Sequence, residues 1–291
     1  MQLRIVLSQF WRDFRAHRLR TALTLFGLGW GTFCVIALLS FGEGLQRNQM
    51  ERSASLGSRI ILFWGSRTSL PYEGLPRGRY IPLEDEDATA LVSEVRGVTA
   101  VSPEYSLNIP LKGPAGETTP SISGVRPAFA AMRNVVPERG GRFINEQDEK
   151  DRRRVAVLGA QVRKDLFGDG EAIGRTIEMS GVPFLVVGTL PQKEQNSNYN
   201  GPDDRKVFIP AATAHGSLGL RYPSNLVVEV APRADSKEVI RSINEVMARR
   251  HHYDPADEEA LSEWDVGDML AMINKIFLGL KVFLALLGAL T

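Results

Sequence analysis

Residues 21–42, TALTLFGLGWGTFCVIALLSFG, contain no charged side chain. Their length matches what an α-helix needs to cross about 30 Å of hydrocarbon. In lipid, only a helix or a closed barrel satisfies its own backbone hydrogen bonds, and one isolated run cannot close a barrel. The stretch therefore reads as a transmembrane helix over residues 21–43. Its flanks set its direction. Arg4, Arg12, Arg15, Arg18 and Arg20 precede it, opposed only by Asp13, whereas Glu43, Arg47, Glu51 and Arg52 after it roughly cancel. Excess arginine beside a span stays cytoplasmic, so the N-terminus is expected inside and everything beyond Gly44 outside. The alternative is a cleaved signal peptide. Against it, the apolar run exceeds a signal core of about 7 to 15 residues and no small-x-small cleavage site follows.

The arginine-bearing segment before the span places Leu3, Val6, Leu7, Phe10, Trp11 and Phe14 at helical spacing. Residues 1–20 thus read as an amphipathic helix on the cytoplasmic membrane surface, or as an inward extension of the span. Within the span, Gly27 and Gly31 are four apart on one face, the spacing at which small residues let another helix approach. They are the candidate helix-packing residues. The chain ends on a second apolar run, residues 276–291, interrupted only by Lys281. It is shorter than a full span and reads as the start of a second transmembrane helix, as if the chain were a fragment of a longer one.

The net charge is +1 over 291 residues. Dispersed, nearly balanced charge gives no basis for a nucleic-acid partner. The only cysteine, Cys34, lies inside the first span, so the region beyond it has no disulfide and must stand on its own core.

Between the apolar runs the pattern is mixed α and β. Residues 59–64, RIILFW, have strand character, followed by a Gly- and Pro-rich loop. Residues 83–96 read as a helix: Glu84, Asp85, Glu86 and Asp87 occupy a first turn where the helix dipole favours negative charge. Ala88, Leu91, Val92 and Val95 make its apolar face, and Gly97 ends it. The segments 98–109 and 118–125 alternate as strands about a Lys-Gly-Pro-Ala-Gly turn at 112–116. A strand at 155–158 leads to a helix at 160–167 stopped by Gly168. Segments 175–179 and 182–190 flank Ser180-Gly181, a hairpin signal. Residues 191–206, polar and rich in Asn and Gly, read as an exposed mobile loop. Strands are expected at 207–209 and 226–230. Asp235 and Glu238 then open a helix whose apolar face is Val239, Ile240, Ile243, Val246 and Met247.

Motifs for chemistry are missing. There is no phosphate loop, and Gly168, Gly170 and Gly174 follow a helix instead of a strand, the wrong context for a dinucleotide turn. No G-x-S-x-G elbow or H-E-x-x-H helix occurs. The acidic run at 84–87 is explained by capping without metal, because no His or Cys accompanies it. His251 and His252 are adjacent and point apart on a helix, which suits capping its C-terminus. His17 falls on the cytoplasmic side and His215 in a loop. No catalytic, cofactor or metal residues are expected.

Several short motifs do carry a resemblance. They are Gly141-Arg-Phe143, Val155-Ala-Val-Leu-Gly159, Asp165-Leu-Phe-Gly168, Ile173-Gly174, Ile177, Gly181 and Phe184-Leu-Val-Val-Gly188. In this order they resemble the periplasmic core domain of MacB-type permeases of the FtsX-like group. The opening is similar as well, with an arginine-rich helix, Arg18-Leu-Arg-Thr21, a glycine-bearing span and Gly42-Glu-Gly44-Leu. So is Arg249-Arg-His-His252 before an acidic stretch and a second span. The resemblance implies α-helical membrane spans plus an α+β extracytoplasmic domain at 44–275. That domain is divided into a porter-like βαβ part (about 44–110 and 206–275) and an inserted strand-rich subdomain (about 111–205). It further implies a non-catalytic permease subunit of an ABC transporter in the bacterial inner membrane, with its large domain periplasmic. The implied partners are a cytoplasmic ATPase subunit, a second permease in a homo- or heterodimer, a periplasmic adaptor and membrane lipid. The family has four spans, and the third and fourth are not in these residues. Alternatives in other classes are a membrane-anchored periplasmic enzyme, which would need a pocket with converging polar groups, and a partner-binding sensor domain.

Overall fold

The structure, a computed structural model, describes residues 18–54, 59–192 and 199–290. The expected surface helix at 1–20 lies outside these apart from residues 18–20. In chain order the first elements are α1 (Arg18–Ala54), β1 (Ile60–Gly65), α2 (Asp85–Glu94), β2 (Val98–Asn108), β3 (Leu111–Lys112), β4 (Glu117–Thr118) and β5 (Ser121–Val125). There follow α3 (Phe129–Met132), α4 (Glu146–Lys150), β6 (Val155–Leu158), α5 (Ala160–Phe167), β7 (Thr176–Met179) and β8 (Val182–Thr189). The last are β9 (Lys206–Pro210), α6 (Ala211–Leu218), β10 (Asn225–Val230), α7 (Ser236–His251), β11 (Leu261–Asp265) and α8 (Val266–Leu290). Two compact units divide the chain near residues 50 and 270: α1 with most of α8, and an α+β body.

The body is built on one mixed sheet in the order β11-β1-β10-β2-β5-β9-β6-β8-β7-β3-β4. Strand β2 joins its halves, pairing with β10 from Val98 to Glu104 and with β5 from Glu104 to Asn108. Most neighbours are antiparallel, but β5 with β9 and β6 with β8 run parallel. The apolar run at 59–64 is explained by burial on both sheet faces. Successive strand side chains point to opposite faces. Ile61 and Phe63 therefore join α2 and α7 residues such as Leu91, Ile243 and Val246, while Ile60 and Leu62 join Phe129, Phe208 and Val227 behind the sheet. A further core packs α5 and α6 on the other half of the sheet through Val162, Leu166 and Ala214 against Ile122, Leu158 and Phe184. The expected insert boundary at 205 falls before β9 and α6, whose residues Val207, Ile209 and Ala214 belong to that further core.

The short motifs are where backbones meet. A Cβ on Gly141 would lie 2.7 Å from the Gly188 Cα, and one on Gly188 would lie 2.3 Å from the Arg142 carbonyl oxygen. The Arg142 N–H donates to the Val187 carbonyl at 2.9 Å. Glycine at both positions permits this approach. Arg142 then reaches the fully buried Asp148, at 2.5 and 3.1 Å, whose carboxylate also completes the cap of α4 with Asn145.

Several expectations need correction. Val92 is 44% exposed, and Asp87 and Ala90 take up the buried face of α2 beside Ala88 and Leu91. The expected strand at 118–125 is two strands, broken around Pro120, which cannot donate to a ladder. Loop 191–206 is not wholly exposed. Residues 193–198 lie outside the described part, but Asp203 and Lys206 are buried beside Arg133 and Glu104. His215 lies in α6, not a loop. The helix that carries the second apolar run begins at Val266, its first turn held in the core of the body.

Candidate functional site

Strand β11 passes into α8 without a linker. Asp265, the last strand residue, accepts hydrogen bonds from the N–H groups of Gly267 (2.7 Å) and Asp268 (3.2 Å), so its carboxylate caps the helix. Val266 is fully buried with Ile60, Leu62 and Val227, and Met269, Leu270 and Trp264 pack against the same cluster. Full burial of one such side chain is worth about 1.5–3 kcal/mol. The first turn of the helix is thus rooted in the body, against the sheet.

Further along α8, Lys281 Nζ lies 3.9 Å from Glu43 Oε1 on α1. Gly42, next to Glu43, is buried, and Leu284, one turn beyond Lys281, is 5% exposed. Gly31, Val35 and Leu39 are partly shielded and share a face of α1 with Gly42 at helical spacing. Phe26, Trp30 and Phe33 lie on another, exposed face, with ring centroids 6.0 and 5.7 Å apart. The two candidate packing glycines are therefore placed differently. Gly31 is on the shielded face, whereas Gly27 is exposed with no atom within 4 Å of a Cβ built on it. Residues 18–45 and 266–286 are each long and apolar enough to cross a membrane.

Two polar clusters stiffen the body. Asp87, fully buried in the first turn of α2, accepts from Arg250 Nε at 2.6 Å and His251 Nε2 at 2.8 Å, and from the Glu84 N–H at 2.8 Å. Burial alone would raise its carboxyl, but the donors from His251 and Arg250 outweigh that and hold it below the usual carboxylate range. The end of α7 is closed by His252 in the left-handed conformation, φ 52°, and by Arg79, which donates to the carbonyls of His251 and His252. Of the two histidines expected to cap, His252 does so through its backbone N–H, which donates to the Ala248 carbonyl, whereas His251 is turned to Asp87 instead. The bond from His251 to Asp87 could not be read from the sequence, since its partner lies 164 residues away.

The second cluster spans neighbouring strands β10, β2, β5 and β9. The buried Glu104 accepts from Ser123 Oγ (2.8 Å) and Asn225 Nδ2 (3.1 Å) and lies 3.8 Å from Lys206 Nζ. Burial opposes the charge on Glu104, yet Lys206 and these donors keep its carboxyl low, while burial pulls the Lys206 ammonium down. Arg133 and Asp203, also buried, approach within 3.5 Å. The Tyr199 ring lies between the two cations, 5.0 Å from the Arg133 guanidinium carbon and 5.1 Å from Lys206 Nζ, within cation–π range. Only the strand pattern around these residues was legible; four charges inside a core leave no signature in a local window.

Among the described residues no group of His, Cys, Asp and Glu is arranged to hold a metal ion. Gly168 is the C-terminal cap of α5 at positive φ, 59°, and the turn it begins leads toward a strand. The glycine run therefore lacks the strand–turn–helix setting of a dinucleotide site.

The family model described as MacB-like periplasmic core domain matches residues 21–246. The macrolide export ATP-binding/permease protein MacB of Bdellovibrio bacteriovorus is 28% identical over 289 residues, covering 98% of this chain and 44% of that protein. The pyoverdine export ATP-binding/permease protein PvdT of Pseudomonas aeruginosa is 30% identical over 241 residues, covering 83% of this chain and 35% of that protein. The chain thus spans less than half the length of these relatives. The crystal structure of the periplasmic region of MacB from Actinobacillus actinomycetemcomitans has the same fold, with a TM-score of 0.59 at 17% identity, covering 76% of this chain and 95% of that one.

Proposed function

The chain belongs to the MacB-like periplasmic core domain family, and from that premise we propose that it acts as the permease segment of an ABC transporter, carrying motion from a cytoplasmic ATPase to an extracytoplasmic body. The observation that carries this reading is the unbroken passage from β11 into α8, with the first turn of the helix inside the core. A helix so rooted converts an axial shift into movement of the sheet. An anchor that served only as a tether has no need of that rigidity.

In this reading α1 and α8 are the first two membrane spans, the N-terminus is cytoplasmic, and the body is periplasmic at the inner membrane. The Glu43–Lys281 pair marks the outer boundary of the hydrocarbon, where a lysine can reach the interface. Before Lys281, α8 carries Asp268 and Lys275; after it, residues 282–290 carry no charge. Gly27, open in the single chain, is the site for a helix of a second permease subunit. A periplasmic adaptor would act on the body. The packing supports a porter-like part formed by β11, β1, β10, the first half of β2, α2 and α7, with an inserted subdomain running from the second half of β2 to the end of α6.

The relatives are named for coupling an ATP-binding region to a permease, so the same pairing is proposed here, with ATP hydrolysis outside these residues. The cargo class, whether drug, peptide or lipoprotein, is not set by the fold. Reconstitution of the full-length subunit with its cognate ATPase tests the reading. Association and altered ATP hydrolysis are expected; absence of both overturns it.

A further inference from the structure

A cleft of about 520 Å³ lies within the α+β body between the start of α2 and the start of α6. That size is within the usual range for a small-molecule site, about 300–1,000 Å³. Both signs of charge line it. Glu86 comes from the first turn of α2 and Glu149 from the end of α4, while Arg152 and Arg221 follow α4 and α6; the exposed Tyr222 supplies aromatic surface, and the buried Tyr105 underlies the cleft.

The partners of the acids are unequal. Asp85 is answered by Arg126 at 2.6 Å and by the Tyr105 hydroxyl at 3.4 Å. Glu149 spends one oxygen on the first turn of α6, where the Ala212 N–H donates to Oε1 at 3.0 Å. Its other oxygen, Oε2, is buried and accepts no hydrogen bond among the described residues. A buried carboxylate oxygen without a donor is costly and calls for one. Burial raises the Glu149 carboxyl above the usual range, more than the backbone donors at the start of α6 and the Arg126 charge, which Asp85 opposes, bring it down. The Arg221 guanidinium lies 5.3 Å from the Tyr222 ring and makes no carboxylate contact among the described ion pairs.

We propose that this cleft binds a zwitterionic ligand of short-peptide size, its ammonium held by Glu149 and Glu86 and its carboxylate by Arg152 and Arg221. The missing donor to Glu149 Oε2 is then an ammonium N–H, and the Tyr222 ring covers the aliphatic part between the two poles. The assignment stands apart from the transporter reading, since binding to the body requires neither nucleotide nor an ATPase.

The test is calorimetric titration of the whole chain in lipid nanodiscs with trialanine, N-acetyl-trialanine and trialanine amide, without nucleotide. Trialanine is expected to bind saturably with a dissociation constant of about 1 mM or tighter. Blocking either terminus should weaken it by about tenfold or more, as should Glu149→Gln and Arg221→Gln. Glu86→Gln, at an exposed position, decides the acidic half should Glu149→Gln fail to fold. No saturable binding, or equal binding by either blocked peptide, overturns the proposal.

Discussion

His251 Nε2 donates to the buried Asp87 carboxylate at 2.8 Å, tying the last turn of α7 to the first turn of α2 across 164 residues of sequence. Arg250 shares the same acceptor. Removing the carboxylate strands two donors, one of them the nearly buried imidazole. Asp87→Ala is expected to lower stability by about 3 kcal/mol, read from urea unfolding of the purified chain.

The pH dependence follows from the same contact. The folded-state carboxyl is held below its ordinary value of 3.8. Its contribution is therefore complete above the unfolded value and is lost as pH falls through the lower, folded one. The stability gap between the wild type and Asp87→Asn should stay constant through neutral pH and close only below 3.8. A gap that closes at neutral pH instead would overturn the assignment to Asp87.

Glu104 and Lys206 should behave as a coupled pair. Lys206→Met leaves a buried carboxylate without its cation, at a cost of about 3–5 kcal/mol. Adding Glu104→Gln should restore much of that loss, since Ser123 and Asn225 can still hydrogen-bond a neutral amide. Denaturation of both single variants and the double variant gives the coupling directly; additive losses would mean the two charges do not interact.

The root of α8 is the proposed lever. Inserting Gly-Ser-Gly between Asp265 and Val266 separates the helix from its cap and from the core. On the proposed transporter reading, the body should stay folded by circular dichroism and the subunit should still associate with an ATPase, while its effect on ATP hydrolysis is lost. A retained effect on hydrolysis would show that a rigid connection is not required.

On α1, Gly27→Leu fills an open face and Gly31→Leu a partly shielded one. Both should lower the yield of crosslinked permease dimers in membranes while leaving insertion intact. Unchanged yield for Gly27→Leu would remove the open face as an interface.

Much of the secondary structure was legible because its causes are local. Helix 160–167 and the Ser180-Gly181 hairpin follow from apolar spacing and punctuating glycines, and both residues of that turn adopt positive φ, 48° and 79°. β11 was not legible. Three of the five residues of LSEWD are charged or polar, and it becomes a strand because β1 offers a free edge along residues 61–65. Gly27 and Gly31 look equivalent on a helical projection, yet the fold shields one and leaves the other open.

From its residues alone the chain determined two apolar helices bracketing an α+β body, because periodicity, charge balance and turn chemistry act over a few residues at a time. Only the tertiary structure decided where α8 begins, which acids are buried beside cations, and that Glu149 keeps an unanswered oxygen in a cleft. These depend on groups brought together from distant parts of the chain, and desolvation at such meeting points has no counterpart in any local stretch of sequence.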